Sequence, residues 1–324
     1  MIRTGVIGGS GYTGGELIRL LLGHPEVKLE FAFSTTRAGK PLHHAHPDLL
    51  GQTDLCFTDQ ADPEVDVVFL CLGHGNSGKF LSQWEFSRNT RVIDLSNEFR
   101  LESNNAQGGR NFIYGLPEYQ KTAIQNARNI ANPGCFATAI QLALLPLASE
   151  NLLKGSVHVN AVTGSTGAGA GLSETTHFSW RNNNLSWYKP FTHQHLGEIN
   201  QSLESLQEKK PDLLFLPLRG NFTRGIFATA YTTFHGSLEE AKAMFAAYYQ
   251  EAEFTMLTEN PPALKQVINT NAAHLHLHKH GEVLLITSVI DNLLKGASGQ
   301  AVQNMNLMFG LPESSGLALK GIGF

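Results

Sequence analysis

A glycine-rich segment near the start of the chain constrains the fold more than any other feature. Residues 4–8 are typical of a β-strand, and residues 14–22 have the apolar spacing of a helix. Between them lies the run Gly8-Gly9-Ser10-Gly11-Tyr12-Thr13-Gly14. Such a turn between a first strand and a first helix lets the backbone approach the pyrophosphate of a dinucleotide. The glycine spacing alone is a weak signal, because the turn can be purely structural, but its position favours nucleotide binding.

The order of strands and helices predicts two domains. Short strands alternate with helical segments early in the chain. This pattern predicts an α/β domain over residues 1–148, with a Rossmann-type, doubly wound parallel sheet. After the first strand, the predicted strands lie at 29–33, 65–72, 92–95 and 129–131. Longer strands then follow one another and predict a second, α+β domain over residues 149–298; they lie at 157–163, 213–217, 226–234 and 283–290, with helices at 198–207 and 238–249. A last helix near 299–309 is expected to complete the first domain, over residues 299–324.

The bulk composition restricts the class of protein. A chain of 324 residues with 42% hydrophobic and 16% charged residues is long enough for two ordinary globular domains. The net charge of −4 and the lack of a basic stripe argue against nucleic acid as a partner. The apolar stretches are too short to span a membrane, and we expect a cytoplasmic protein with no membrane association. Three widely spaced cysteines indicate reduced thiols rather than disulfides.

The end of the second predicted strand bears on the choice of dinucleotide. NAD-specific sites usually have an acidic residue about twenty positions after the glycines, where it binds the ribose hydroxyls. Here that position reads Phe33-Ser34-Thr35-Thr36-Arg37. Hydroxyl groups and a guanidinium suit a 2′-phosphate, which favours NADP(H) as the cofactor. Arg37 is equally typical of a solvated loop.

Cys135 follows the run Asn132-Pro133-Gly134 and begins an apolar helical stretch. Free cysteines are usually small buried residues, and Cys71, inside an apolar strand, fits that description. Cys135 differs because Pro133 and Gly134 predict a turn just before it. The unpaired N–H groups and the positive end of a helix favour an ionised sulfur. We therefore predict that Cys135 is a nucleophile in acyl chemistry coupled to hydride transfer.

Two histidines, His193 and His195, are candidates for the acid/base that such a thiolate needs. They precede a predicted helix, and alternation on an extended segment would place both rings on one side. Histidines of a surface loop would give the same pattern. Arg224, just before a predicted strand, can hold a carboxylate or a phosphate, or can be an ordinary surface arginine.

Two histidine-rich runs raise the question of a metal site. They are His43-His44-Ala45-His46 and the alternating set His274, His276, His278 and His280. No nearby cysteine or carboxylate completes an evident ligand set. A solvated strand face, with Leu275 and Leu277 turned inward, explains the alternation. We predict no metal.

Together these features resemble the N-acetyl-gamma-glutamyl-phosphate reductase family, related to aspartate-semialdehyde dehydrogenase, over nearly the whole chain. The resemblance lies in the glycine run, residues 93–101, Tyr114-Gly115-Leu116-Pro117-Glu118, Asn132-Pro133-Gly134-Cys135, His193-Gln194-His195 with Glu198-Ile199, Thr223-Arg224-Gly225 and residues 290–306. It implies that NADP(H) binds at Gly8, Ser10, Gly11, Tyr12, Thr13, Gly14, Ser34, Arg37 and Asn292. It assigns catalysis to Cys135, His193 and His195, and substrate binding to Asn132, Arg100, Glu198 and Arg224. It also implies a homo-oligomer, either a dimer or a tetramer, formed with the help of the second domain.

The resemblance implies the reductive dephosphorylation of N-acetyl-glutamyl 5-phosphate in arginine biosynthesis, through a thioester on Cys135. Residues 164–172 are richer in glycine than the family usually is there, so the same reaction on an N-succinyl substrate is an alternative. Gly73 replaces a more frequent proline, which we expect to affect local stiffness only. The alternatives are aspartate-semialdehyde dehydrogenase, a cysteine acyl hydrolase or transferase, and a dinucleotide-sensing protein. The glycine turn argues against a hydrolase, because hydrolysis needs no dinucleotide.

Overall fold

The structure is a computed structural model that describes residues 1–323. Packing of the backbone divides the chain into two compact units. The first unit is Met1–Gly134 together with Ala297–Ala318, and the second is Cys135–Gly296 together with the residues from Leu319 onward.

The strands, in chain order, are β1 (Ile2–Ile7), β2 (Val27–Phe33), β3 (Phe57–Thr58), β4 (Val67–Leu70), β5 (Arg91–Asp94), β6 (Ala106–Gln107), β7 (Arg110–Asn111), β8 (Ile113–Tyr114), β9 (Asn129–Ala131), β10 (Ser156–Thr163), β11 (Ser186–Trp187), β12 (Asp212–Arg219), β13 (Ile226–Thr233), β14 (Thr255–Leu257), β15 (Ala273–His280) and β16 (Val283–Ile290). The α-helices are α1 (Tyr12–Leu22), α2 (Ser77–Gln83), α3 (Pro117–Gln125), α4 (Cys135–Ser149), α5 (Phe178–Arg181), α6 (His195–Leu206), α7 (Leu238–Tyr249) and α8 (Gly299–Met308).

The first unit is built on a parallel sheet with the strand order β3-β2-β1-β4-β5-β9-β8. All four residues of β4 are buried, as expected of a strand covered on both faces. The chain moves outward from β1 in one direction to β3 and in the other direction from β4. This change of direction at β1 is the switch point at which doubly wound sheets bind ligands. Helix α8 packs on α1 and α3.

The second unit is built on a mixed sheet with the strand order β11-β12-β10-β13-β16-β15-β14. Its four central strands β10, β13, β16 and β15 are antiparallel neighbours, whereas β12 runs parallel to β10. On β10, Val157, Val159 and Ala161 are buried and alternate with partly exposed residues, so only one face of this strand lies in the core. The two sheets confirm the predicted fold class.

Helix α4 is the central helix of the second unit. Its residues from Phe136 to Ala148 are all buried, which fits a helix that is apolar on every side. Pro146 lies inside α4 and cannot donate to the carbonyl oxygen of Leu142, the acceptor one helical turn earlier. The hydroxyl of Tyr249 donates to that oxygen instead, at 2.6 Å. The proline therefore does not end the helix, and no buried carbonyl is left unpaired at Leu142.

The structural division between the units lies before α4, whereas the sequence placed it after that helix, at residue 148. The reason is that α4 packs on β13, β15 and β16 of the second sheet and contacts α6, which local periodicity does not show. The segment Ala297–Ala318, which contains α8, belongs to the first unit, whereas residues 319–323, which the sequence also placed in the first domain, belong to the second unit. Among residues 1–323, no helix has both the length and the hydropathy needed to cross a bilayer.

Candidate active site

The glycine turn of the first unit lies between β1 and α1, as predicted. Gly8 has a φ of +79°, and an added Cβ would lie 2.5 Å from the carbonyl oxygen of Cys71. A Cβ at Gly14 would lie 2.6 Å from the carbonyl oxygen of Gly8. The fold therefore requires glycine at both positions. Gly11 differs, because a Cβ there would have only one neighbour within 4 Å, the oxygen of Gly8 at 3.8 Å.

Helix α1 begins at this turn, and no side chain caps the backbone N–H groups of its first turn. Its N-cap, Gly11, has no capping side chain, and no acidic residue lies in the first turn. Tyr12, at this end of the helix, is 46% exposed, and the carbonyl of Thr13 accepts a hydrogen bond from Ser298 at 2.9 Å. His46 supports the turn through a 2.7 Å hydrogen bond between its Nε2 and the carbonyl oxygen of Gly9. The helix end thus suits an anionic group such as a pyrophosphate.

The hydroxyl groups predicted to lie at the end of β2 are close to the glycine turn. The Oγ atoms of Ser34 and Ser10 are 3.3 Å apart, and Thr36 Oγ1 is 3.5 Å from Ser34 Oγ. The backbone N–H of Arg37 donates to the carbonyl oxygen of Ser34, and its Nη1 donates to that of His44. No carboxylate occurs in residues 33–37. These residues fit a bound dinucleotide.

The thiol of the second unit lies where the sequence predicts it. Cys135 is the first residue of α4 and is neither fully buried nor exposed. Gly296, in the π-helical turn Leu294–Ser298, packs directly against it, because a Cβ at Gly296 would lie 2.7 Å from Cys135 Cβ. The N–H of Gly296 donates to the carbonyl oxygen of Asp291 at 2.9 Å. π-Helical turns are frequent at functional sites.

The two predicted histidines lie side by side. Their ring centroids are 4.6 Å apart, and the ring of Phe136, which follows Cys135, is 5.5 Å from His193 and 6.3 Å from His195. The segment is not extended, however, because Gln194 has helical dihedral angles and His195 is the first residue of α6. The rings are brought together by a tight turn, in which the N–H of His195 donates to Nδ1 of His193 at 3.2 Å. The two histidine rings are therefore close together, as expected, but a turn at Gln194 rather than an extended segment brings them together.

The hydrogen bond at Nδ1 places the proton of a neutral His193 ring on Nε2. Burial, together with the positive charges of Lys189 and Arg219, lowers the pKa of His193 to about 4. This ring is therefore neutral and an Nε2–H donor at physiological pH. Burial, with a smaller contribution from the charge of Cys135, raises the pKa of Tyr188 to about 12, so the phenol keeps its proton too.

Glu198 lies one turn further along α6 than His195. Its carboxylate is buried, and Oε1 is 4.0 Å from Nε2 of His195. The two histidines therefore stand in opposite surroundings, with cations close to His193 and a carboxylate close to His195. Substrate binding by Glu198 stays a prediction.

Arg224 and Asn292 have internal partners in the second unit. Arg224 forms a two-point ion pair with Asp291, at 2.9 Å and 3.2 Å. Asn292 accepts a hydrogen bond from the N–H of Gly225 at 2.6 Å and donates one to Thr166 at 3.1 Å. These contacts join the segment just before the turn Leu294–Ser298 to the loops that contain Thr166 and Arg224. Binding of substrate by Arg224 and of cofactor by Asn292 stay predictions.

Asn132 and Arg100 are buried in the first unit. The side chain of Asn132 donates to the carbonyl oxygen of Ala297 at 3.1 Å and accepts from Asn304 at 3.0 Å. Arg100 donates to the carbonyl oxygens of Asn132 and Leu95. Both residues hold the segment that leads to Cys135, and their predicted contacts with substrate stay predictions.

The histidine-rich runs form no evident ligand set. Leu275 and Leu277 of β15 are buried, as predicted, while His278 and His280 are exposed. His274 is half-buried, which lowers its pKa, and His276 bonds to the carbonyl oxygen of Thr258 at 3.0 Å. Within residues 1–323, no group of three or more His, Cys, Asp or Glu side chains could hold a metal ion.

Sequence reasoning missed three residues around the thiol: Tyr188, Arg219 and Gly296. The ring of Tyr188 is 5.8 Å from that of His193, and the guanidinium of Arg219 lies 4.6 Å from the centre of the Tyr188 ring. Neither residue belongs to a recognisable motif. The glycine at 296 lies within the run 290–306 that carries the family resemblance, but nothing in that run indicates contact with Cys135.

Two family models match this chain in succession. Residues 3–127 match the semialdehyde dehydrogenase NAD-binding domain, and residues 135–292 match the semialdehyde dehydrogenase dimerisation domain. The second match begins at Cys135, where the second structural unit also begins. The first unit is therefore an NAD(P)-binding domain of this type.

Solved structures show the same fold. The aspartate semialdehyde dehydrogenase II of Vibrio cholerae, in complex with ASA, has a TM-score of 0.71 at 16% identity, covering 96% of this chain and 98% of that one. The aspartate semialdehyde dehydrogenase of Candida albicans, with NADP, has a TM-score of 0.71 at 15% identity, covering 95% of this chain and 99% of that one. At these identities the likeness concerns the fold alone.

Relatives of much higher identity share one name. The N-acetyl-gamma-glutamyl-phosphate reductase of Christiangramia forsetii is 60% identical over 321 residues, which cover 99% of each chain. That of Parabacteroides distasonis is 53% identical over 326 residues, which cover 100% of each chain. The resemblance seen in the motifs is thus confirmed along the full length, and this chain belongs to the N-acetyl-gamma-glutamyl-phosphate reductase family.

Proposed function

We propose that this chain reduces N-acetyl-glutamyl 5-phosphate to N-acetyl-glutamate 5-semialdehyde with NADPH, a step of arginine biosynthesis. The observation that carries the proposal is the position of Cys135 at the start of α4, with the paired rings of His193 and His195 packed on the next residue of that helix. The shared name of the full-length relatives supports the proposal.

The first step forms a covalent bond to Cys135. The thiolate attacks the carbonyl carbon of the acyl phosphate, a C–S bond forms, the C–O bond to phosphorus breaks and phosphate leaves with the bonding electrons. Backbone N–H groups at the start of α4 stabilise both the thiolate and the oxyanion that develops during the attack. The product of this step is a thioester on Cys135.

The second step converts the thioester to an aldehyde. A dinucleotide held at the glycine turn, Gly8 to Gly14, would supply the hydride that the thioester carbon needs. His193 donates a hydrogen bond from Nε2 to the carbonyl oxygen, and His195, supported by Glu198, moves the proton that this oxygen gains and then loses. Collapse of the hemithioacetal breaks the C–S bond, releases the aldehyde and restores the thiolate. A positioned acid/base of this kind contributes about 10²–10⁴-fold to the rate.

The cofactor proposed is NADP(H) rather than NAD(H). Ser10 and Ser34 offer hydroxyl groups beside the glycine turn, and Arg37 adds a guanidinium to the same loop. A 2′-phosphate accepts hydrogen bonds from all of these groups, whereas the carboxylate that selects a free 2′-hydroxyl is missing from residues 33–37. The ratio of kcat/KM for NADPH and NADH measures this preference directly.

The experiment that tests the function is phosphate-dependent reduction of NADP by the purified protein. Three aldehydes are compared: N-acetyl-glutamate 5-semialdehyde, its N-succinyl analogue and an unacylated semialdehyde. Activity with the N-acetyl compound that requires phosphate is the expected result. Activity with the N-succinyl compound alone would keep the reaction type but would change the assigned substrate from the N-acetyl to the N-succinyl compound. Activity with the unacylated compound alone, or with none of the three, would overturn the proposal.

We further infer that the chain forms a homo-oligomer through its second unit, because residues 135–292 match a family model named for dimerisation. Light scattering of the purified chain, with and without residues 1–134, measures the mass and locates the contact. A monomer of 35.4 kDa would contradict this part of the proposal.

A further inference from the structure

The substrate class proposed above is anionic, and the second unit has few arginines, the residues best suited to bind a carboxylate or a phosphate at two points. Residues 135–296 contain three arginines: Arg181, Arg219 and Arg224. Arg224 is paired with Asp291. Arg181 is buried and donates to backbone carbonyl oxygens, including those of Thr175 and Arg219. Two of the three guanidinium groups therefore have structural partners.

Arg219 differs from the other two, because the side chain that it contacts and hydrogen-bonds is the neutral phenol of Tyr188. Its guanidinium lies over the ring of Tyr188 at 4.6 Å, and its Nε atom is buried without a hydrogen-bond partner in the described part of the chain. No carboxylate forms an ion pair with it among residues 1–323. A buried donor on a permanent cation is costly to leave unpaired, and an anion relieves that cost. The stack on Tyr188 holds the guanidinium in one orientation.

The position of Arg219 connects it with the reacting groups. Its charge acts on His193, and Tyr188, on which it stacks, feels the charge of Cys135. Lys189 adds a second positive charge near His193, and its Nζ donates to Gln194 at 3.2 Å. The carboxylate of Glu198 lies beside His195 rather than beside His193.

The loop that carries Tyr188 and Lys189 is held in an unusual conformation. Lys189 and Phe191 have φ values of +44° and +58°, which side chains of this size rarely adopt. Strained backbone of this kind persists only where the surrounding structure enforces it, and it is common at ligand-binding sites.

We propose that Arg219 is a substrate-binding residue, which holds an anionic group of the substrate, a carboxylate or a phosphate, beside Cys135. This inference rests on the proposed function. It adds a cation that no motif of the sequence identifies, and it gives Tyr188 the role of a positioning residue for that cation.

The first test needs no turnover. Cys135 of the full-length protein is alkylated with iodoacetate, which is an anion, and with iodoacetamide, which is neutral and similar in size; mass spectrometry follows the peptide that contains Cys135. Both reagents need the thiolate, so the ratio of their rates reports the local preference for an anion. The variants are Arg219→Gln, Arg219→Lys and, as a control for the loss of a distant surface charge, Lys242→Gln in α7.

We expect Arg219→Gln to lower the iodoacetate-to-iodoacetamide rate ratio by about tenfold, the size expected for a lost charge-assisted hydrogen bond. In Arg219→Lys we expect a rate ratio between those of the parent protein and Arg219→Gln, and in Lys242→Gln we expect the parental rate ratio. An unchanged ratio in Arg219→Gln, with normal reactivity toward iodoacetamide, would overturn this inference and leave the proposed function intact. Inertness of Cys135 toward both reagents in the parent protein would overturn the proposed function, and this inference with it.

The second test identifies the anionic group. In the direction that reduces NADP, phosphate and the semialdehyde are separate substrates with separate KM values. If only the KM for phosphate rises in Arg219→Gln, Arg219 binds the phosphate group. If only the KM for the semialdehyde rises, Arg219 binds a carboxylate of that substrate. A rise that occurs with the N-succinyl but not the N-acetyl semialdehyde assigns the carboxylate of the acyl group. No rise in any KM would contradict the proposal.

Discussion

The dinucleotide turn and the thiol site are assembled in different ways. The turn consists of residues 8–14, and its shape requires glycine at positions 8 and 14, where a Cβ would collide with the carbonyl oxygens of Cys71 and Gly8. The thiol site draws Cys135 from α4, His193 from the loop before α6, Arg219 from β12 and Gly296 from the turn before α8. The first depends on local backbone geometry, and the second depends on the packing of a whole unit.

This difference determines how each site should respond to substitutions. A change in the glycine turn affects backbone of the first unit only, either in the turn itself or at Cys71, which follows β4. A change in the thiol site can act from a segment more than a hundred residues away along the chain. Variants that separate cofactor binding from acyl chemistry therefore test whether the two units contribute independently.

The largest effect is expected for Cys135→Ala. Without the sulfur no thioester forms, and turnover should fall at least about a thousandfold. The affinity for NADPH should stay the same, because the glycine turn lies entirely in the first unit. Initial rates and a fluorescence titration with NADPH measure the two quantities, with Cys56→Ser, at an exposed cysteine, as the control. Substantial turnover by Cys135→Ala would exclude the thioester.

A smaller effect is expected for Gly296→Ala. The new Cβ would lie 2.7 Å from Cys135 Cβ, so the thiol must move. A displacement of about 1 Å at a reacting group costs about a hundredfold in rate, and we expect a loss of ten- to hundredfold in kcat. Gly155→Ala is the matched control, because a Cβ there meets no atom within 4 Å. Equal kcat values for the two variants would show that Gly296 does not position the thiol.

The fold could be predicted from the sequence to a large extent. Apolar strands alternating with helices indicate a parallel sheet, and β9 and β16 have the predicted bounds. The assignment of α4 to the second unit could not be predicted, because a helix that is apolar on every side gives no direction of packing. Where Pro146 cannot donate, the carbonyl oxygen of Leu142 is paired with the hydroxyl of Tyr249, which lies 107 residues further along the chain than Leu142.

The candidate sites could be predicted in part. Cys135 and the histidine pair stand out because turn residues and spacing surround them. Tyr188 and Arg219 do not, because each acquires its neighbours only through the strained loop and the register of β12 with β10 and β11. The partner of Arg224 was missed for the same reason, since Asp291 lies 67 residues further along the chain.

The glycine turn gives a third prediction. Gly11→Ala introduces a Cβ into open space and should leave the melting temperature unchanged, whereas Gly14→Ala collides with the backbone and should lower it. If Gly11 is glycine because a dinucleotide approaches it, Gly11→Ala weakens NADPH binding by about tenfold, or roughly 1.4 kcal/mol. Alkylation of Cys135 should be normal in this variant. Unchanged NADPH affinity would mean that the dinucleotide does not approach Gly11.

The smallest effect concerns His193 and the pH dependence of stability. The folded-state pKa of about 4 lies below the value of about 6.5 for an unfolded histidine. Between these values the unfolded chain binds more protons than the folded one, so the free energy of unfolding falls as the pH falls from about 6.5 to 4. One such group contributes at most about 1.4 kcal/mol per pH unit. The pKa values of His24 and His274 are also lowered by burial, so they contribute in the same direction.

Replacing His193 should therefore reduce this pH dependence without removing it. Urea unfolding at pH 7.5 and at pH 5.5 gives the loss of stability for the parent protein and for His193→Gln, with the exposed His280→Gln as the control. We expect a smaller loss in His193→Gln and the parental loss in His280→Gln. If His193→Gln loses as much stability as the parent, the pKa of the His193 ring does not differ between the folded and the unfolded protein. Burial would then not keep this ring neutral at pH 5.5, which would contradict the low pKa given for it above.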